Sequence, residues 1–321
     1  MAELREKLYQ MFILGTDGEN YKEYLKDGLG GIIFFSKDIQ SEKQFCNFVK
    51  QIKSQSLVPP FLSIDQEGGR VERTENIYNG KKYLSAKFAW EKGKDFLKNQ
   101  TASIAQELYH YGINLNFAPC ADTNTNPNNP IIGERAFSSN PDEVIEAAKI
   151  VIDTYKENKI IPCIKHFPGH GDADSDSHLT LPKIDLSLQE MKTLHIRPFK
   201  ELINYGIDMI MVAHLNCPSL DDNGIPTSLS KKVIDYLRDE LNFNGVLISD
   251  DMVMQGANFE NACERAIRAG LNLLIYRDSK DSTIQTIENI RNKALHDDEL
   301  QKNIEFSYSK IMDLKERYKF Q

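Results

Sequence analysis

Eight short apolar runs punctuate the chain, at residues 11–16, 31–35, 61–65, 114–119, 162–167, 208–214, 246–250 and 272–276. Ile, Val, Leu and Phe dominate them with little alternation, as expected of parallel strands covered on both faces. Amphipathic stretches at 41–54, 87–111, 141–158, 187–205, 230–241 and 260–269 lie between most of them and predict helices. Two helix starts carry their own signal: Asn140-Pro141 places a cap before a proline at the first helical position, and Ser187 with Glu190 forms a capping box. The first connection is weaker and predicts only a short helix around 21–26. A last helix, at about 298–318, carries Leu300, Ile304, Tyr308, Ile311, Leu314 and Tyr318 at threes and fours. Eight strands alternating with helices predict an α/β fold, a (β/α)8 barrel of TIM type with an irregular first unit. The pattern gives one domain spanning 1–321, closed by the C-terminal helix.

Composition narrows the function without naming it. The chain of 321 residues is 40% hydrophobic and 27% charged, with a formal net charge of −8. Nucleic-acid binding needs a basic footprint, so that class is disfavoured. No apolar run approaches the ~18 residues of a membrane span. The charged start, Met-Ala-Glu-Leu-Arg-Glu-Lys, shows no signal-peptide pattern. The five cysteines (46, 120, 163, 217, 263) have no close pairing. The expectation is a cytoplasmic protein with no disulfide framework, no Cys-based zinc site and no cofactor.

Polar residues interrupt the strand ends in a costly way. Asp65, Asp122, Lys165-His166, His214 and Asp250 fall at or just past the C-terminal ends, which in a barrel share one face. The densest chemistry lies at 165–178, Lys-His-Phe-Pro-Gly-His-Gly-Asp-Ala-Asp-Ser-Asp-Ser-His, with three of the chain's seven histidines. Pro168 and Gly169 rule out a helical zinc pair of His166 and His170. Asp172, Asp174 and Asp176 imitate the start of a calcium loop, but Ser177 and Lys183 occupy its glycine and glutamate positions. The remaining reading pairs Asp176 with His178, two residues apart and on one side of an extended segment, as a proton donor and acceptor near neutrality. A solvated Asp/Ser-rich loop is the plain alternative. Gly169 and Gly171 suggest that this loop moves.

Three further segments add candidates. Asp65-Gln-Glu-Gly-Gly-Arg-Val-Glu-Arg73 offers an aspartate and arginines able to clamp neighbouring hydroxyls, while Asp65 and Glu67 would repel a phosphate. Arg135, after an Asn/Pro-rich stretch, either reaches over the mouth or anchors its loop to Asp122. Asp250-Asp251 ends an apolar strand, and alternation sends one carboxylate inward without saying which.

Together the motifs Asp-Gln-Glu-Gly-Gly-Arg-Val, Lys-His-Phe-Pro-Gly-His-Gly with its Asp-Ser-His end, and Ser-Asp-Asp-Met resemble glycoside hydrolase family 3, in particular its single-domain bacterial β-N-acetylglucosaminidases. The resemblance runs from about Gln10 to Tyr276. It implies Asp250 as nucleophile, His178 as proton donor and acceptor supported by Asp176, and Asp65, Arg73, Arg135, Lys165 and His166 as sugar-binding positions. It implies a retaining exo-β-N-acetylglucosaminidase that removes non-reducing terminal β-linked N-acetylglucosamine (GlcNAc) from saccharides such as GlcNAc-anhydroMurNAc peptides. The setting would be cell-wall recycling, with no metal, membrane or nucleic-acid partner. A histidine acid does not repel anions, which keeps phosphate open as the acceptor in place of water. Rivals are a metal-dependent hydrolase built on His166, His214 and Asp250, and a sugar-binding protein without turnover.

Overall fold

A computed structural model describes residues 3–173 and 181–320. Its strands are β1 (Phe12–Asp17), β2 (Gly31–Phe34), β3 (Phe61–Ile64), β4 (Leu115–Asn116), β5 (Ile161–Phe167), β6 (Met209–Val212), β7 (Val246–Asp251) and β8 (Leu273–Asp278). All neighbours are parallel, and β1 pairs with both β2 and β8, so the sheet closes on itself in sequence order. Helices cover the outside, and the strand residues facing them and the barrel interior are almost all buried. This is the (β/α)8 barrel that the unalternating apolar runs predict.

The helix starts form as their sequences dictate. The Asn140 side chain accepts the Asp142 N–H at 2.9 Å with Pro141 at the first helical position. Ser187 Oγ accepts the Glu190 N–H, and Glu190 Oε2 accepts the Ser187 N–H at 2.9 Å. Several boundaries differ from the sequence expectation. The stretch 87–111 is two helices, Ala86–Glu91 and Lys94–Tyr111, because the chain turns at Gly93 with φ +103°. The run 114–119 contributes only two ladder residues before it leaves the sheet. Helices Leu4–Tyr9 and Asp281–Ala294 have no counterpart in that expectation, and the second completes the eighth β/α unit.

The helix Asp298–Arg317 closes the N-terminal end of the barrel. Its Lys315 is buried, with Nζ 2.7 Å from Gln10 Oε1 and 3.2 Å from the Gly30 carbonyl. Phe320 meets Phe61 edge-on at 5.3 Å. No helix among the described residues is long and apolar enough to cross a membrane. All five cysteines are free.

Candidate active site

A cleft of about 440 Å³ opens where the C-terminal strand ends converge, lined by Asp65, Arg73, Arg135, Lys165, His166 and Asp250 among others. Asp65 follows the last residue of β3, Lys165 and His166 lie near the end of β5, and Asp250 is the penultimate residue of β7. Six of the eight candidates from the sequence are therefore brought to one mouth. The other two, Asp176 and His178, lie outside the described residues.

Opposite charges tie the floor of the cleft together. Lys165 Nζ is 2.7 Å from Asp65 Oδ1 and 2.5 Å from Glu67 Oε1, with only 2% of the lysine side chain exposed. Arg135 donates from Nε to Glu67 Oε2 and from Nη2 to Oε1, both at 2.8 Å. Nη2 also lies 3.3 Å from His166 Nε2. Arg73 extends the set toward the rim, 3.8 Å from Asp65 Oδ2 and 5.7 Å from the Phe35 ring centre. Burial penalises the charges of Glu67, Arg135 and Lys165, but the pairing outweighs it. Arg135 and Lys165 hold the Glu67 carboxyl well below the usual carboxylate range. Asp65 and Glu67 hold the Lys165 ammonium above its ordinary value.

Asp122 and His214, both read from sequence as mouth residues, are buried and do not line the cleft. Asp122 lies behind His166, with Oδ2 2.7 Å from Nδ1. His214 Nδ1 is 2.7 Å from Ser228 Oγ and Nε2 is 3.2 Å from the Asp251 carbonyl, and burial lowers the basicity of the ring. Arg135 resolves its two alternatives in favour of the mouth: its anchor is Glu67.

The two carboxylates of β7 differ in partners. Asp250 Oδ1 accepts the Asp251 backbone N–H at 2.7 Å, and its side chain makes no ion pair within 4 Å among the described residues. Burial opposes its charge, yet His166, His214, that N–H and Lys165 together hold the carboxyl below its ordinary value. Asp251 is tied to the Arg277 guanidinium and accepts the Val253 and Arg277 N–H groups at 3.1 Å. Asp250 is therefore the ionised carboxylate left available for chemistry, while Asp251 is committed to structure.

The glycines just before residue 174 have a packing reason. A Cβ at Gly171 would lie 1.8 Å from the Thr123 carbonyl oxygen, and one at Gly169, where φ is +124°, would lie 2.6 Å from His195 Cβ. His170 beside them is 2% exposed, and burial pushes its imidazole down to about 4, so it is neutral near neutrality.

His166, His214 and Asp250 do not form a set of ligand atoms within mutual reach. Among the described residues that description fits Cys120, Asp122 and His166. There the thiol lies 3.1 Å from Asp122 Oδ2, and the imidazole meets the same oxygen, so hydrogen bonds account for the contacts. Glu67 and Asp122 were both visible in the sequence, but the sequence reading did not give either its part in the site. Glu67 lay in view within the Asp-Gln-Glu-Gly-Gly-Arg motif, but its partners are 68 and 98 positions away. A buried carboxylate two residues after Cys120 carried no signal beyond its place at a strand end.

Comparisons with known proteins bear on the family and the fold. The family model described as the glycosyl hydrolase family 3 N-terminal domain matches residues 3–314. A beta-hexosaminidase of Tolumonas auensis is 32% identical over 271 residues, covering 82% of this chain and 80% of its own. One of Actinobacillus pleuropneumoniae serotype 5b is 34% identical over 275 residues, covering 82% and 78%. Beta-hexosaminidase A of Pseudoalteromonas piscicida is 32% identical over 77% of this chain, which spans only 45% of that longer relative. Among solved structures, a glycoside hydrolase family 3 beta-N-acetylglucosaminidase from Paenibacillus sp. str. FPU-7 superposes with a TM-score of 0.92 at 27% identity, covering all of this chain and 63% of its own.

Proposed function

The chain belongs to glycoside hydrolase family 3, and on that premise we propose that it is a retaining exo-β-N-acetylglucosaminidase. The observation that carries the reading is Asp250. It is an ionised carboxylate at a strand end, bordering a cleft whose polar walls also include Asp65, Arg73, Arg135, Lys165 and His166. The relatives named beta-hexosaminidases support the substrate class.

In this mechanism Asp250 attacks the anomeric carbon of a terminal β-linked GlcNAc as His178, supported by Asp176, protonates the departing oxygen. His178 then takes a proton from water, which releases the sugar with β configuration. Double displacement normally uses two carboxyl groups. An imidazole poised near neutrality meets the same requirement for proton transfer. The Arg73 guanidinium, the ammonium of Lys165 and the Asp65 carboxylate suit hydroxyl groups that both donate and accept, while Glu67 takes the Arg135 fork. The polar set is held by its own ion pairs before substrate arrives, which lowers the reorganisation left for the reaction. The proposed setting is the cytoplasmic recycling of peptidoglycan, with GlcNAc-anhydroMurNAc peptides as substrates.

A slow fluorinated N-acetylglucosaminide followed by peptide mass spectrometry tests the core of this reading. A glycosyl adduct on Asp250 is the expected result, and an adduct on another residue sinks the assignment. Running turnover in phosphate and assaying for sugar 1-phosphate separates water from phosphate as the acceptor.

A further inference from the structure

Four hydrogen-bond donors converge on Asp122, whose side chain is fully buried. Oδ1 accepts the His170 backbone N–H at 2.7 Å. The His166 backbone N–H lies 3.2 Å from both oxygens. Oδ2 lies 2.7 Å from His166 Nδ1 and 3.1 Å from Cys120 Sγ. An ionised carboxylate offers about four acceptor positions, and all are taken here. Burial opposes the charge, but His166 and the other donors hold this carboxyl well below its usual range.

The far side of the His166 ring is constrained as well. Nε2 faces Arg135 Nη2 at 3.3 Å. A guanidinium carries donors only and keeps them at any accessible pH. An imidazole that meets a carboxylate at Nδ1 and a guanidinium at Nε2 carries its proton on Nδ1 and its lone pair on Nε2.

We propose that Asp122 is a positioning residue that holds His166 in the Nδ1–H tautomer, so that the nitrogen turned toward the cleft accepts hydrogen bonds and donates none. Arg135 fills that acceptor in the free protein. On the function proposed above, a sugar hydroxyl is the group this nitrogen can receive, while the acetamido carbonyl is turned away.

The surrounding backbone makes the proposal sharp. In Asp122→Asn one oxygen becomes an NH2 group, and the amide must choose its orientation. The His166 and His170 backbone N–H groups cannot become acceptors, so they fix the remaining oxygen at the Oδ1 position. The NH2 group then faces His166 Nδ1, which can accept only after its proton moves to Nε2. That proton points at the Arg135 N–H groups. The variant therefore reverses the tautomer and sets two donors against each other.

Nitrogen-15 NMR of the histidine-labelled protein, with His166 assigned by its loss in His166→Gln, tests this. The expected spectrum shows a neutral His166 protonated at Nδ1 in the wild type and at Nε2 in Asp122→Asn. The variant should also lose about 10-fold or more in kcat/KM, with a monodeoxyfluoro substrate at the contacted hydroxyl impaired in the wild type and little further impaired in the variant. A wild-type His166 protonated at Nε2, or at both nitrogens, near neutral pH overturns the proposal without reference to any variant's folding. The sugar-facing consequence rests on the proposed function and the tautomer does not. The expected spectrum in a protein that cleaves no glycoside would sink that function and leave Asp122's role standing.

Discussion

Glu67 and Arg135 meet fork to fork, 68 residues apart in sequence, and the Glu67 Oε1 that closes the fork also lies 2.5 Å from Lys165 Nζ. One carboxylate thus balances two cations that are almost wholly removed from water. Truncating it leaves Arg135 without its carboxylate and Lys165 with Asp65 alone, and removing one partner is the most costly way to disturb a buried pair. Glu67→Ala should lower folding stability by about 3–5 kcal/mol, read by urea denaturation. A loss under about 1 kcal/mol would mean that solvent reaches the pair far more freely than its burial indicates.

The same pair gives a pH signature with a definite sign. The folded-state pKa of Glu67 is depressed below its unfolded value, because Arg135 and Lys165 outweigh the cost of burial. Its contribution is therefore complete above about pH 5 and is lost as pH falls further. In Glu67→Gln that titration is absent. The stability gap between wild type and Glu67→Gln should hold above about pH 5 and narrow as pH falls from there to about pH 3. A gap that stays constant, or widens on acidification, would contradict the depressed pKa.

What the sequence shows and hides follows from distance along the chain. The barrel was legible because each apolar run carries its own burial pattern, and Asp65, Lys165, His166 and Asp250 were legible because a charge at an apolar strand end needs a reason. The choice between Asp250 and Asp251 was not, since alternation cannot say which face is which; in the structure Arg277 on the adjacent strand pairs with Asp251 and leaves Asp250 as the candidate. Glu67 was read as a group that repels anions, when its role is to hold cations brought from β5 and from the loop before 141. Asp122 was read as a mouth residue because a strand end does not reveal that the chain turns it behind His166. The helix Asp281–Ala294 did leave a trace, Ile284, Ile287 and Ile290 at intervals of three. That stripe is too short to stand out from its polar neighbours.

Asp250 carries the proposed covalent chemistry, so its removal should be all but complete for turnover and mild for the fold. Asp250→Ala should lower kcat by about 10⁴-fold while the melting temperature stays near that of the wild type. Added azide should restore part of the turnover and give the α-glycosyl azide, since a small anion fits the space the carboxylate leaves. Wild-type activity in Asp250→Ala would remove the nucleophile assignment.

For His178 the leaving group discriminates proton transfer from binding. A nitrophenolate departs without help, whereas a sugar oxygen must be protonated. His178→Ala should therefore cost about 10²–10⁴-fold on a disaccharide and much less on the activated aryl glycoside. Asp176→Ala should follow the same pattern more weakly. Equal losses on both substrates would assign His178 to binding.

At the opposite end of the barrel, Lys315 makes a prediction independent of catalysis. Burial lowers its ammonium to about 7, although Nζ still donates to Gln10 Oε1 and the Gly30 carbonyl. In the unfolded chain the same lysine titrates near about 10.4. Between about pH 7 and that value the unfolded state binds more protons than the folded one, so stability attributable to this residue rises with pH across the window. Lys315→Met keeps the long aliphatic stem and removes the titration. The wild type should therefore gain about 2 kcal/mol on the variant between about pH 7 and pH 9, measured by chemical denaturation at each pH. A difference that does not change over this range would mean that Lys315 keeps its proton in the folded protein, held by its two acceptors and by the Phe61 ring 4.8 Å away.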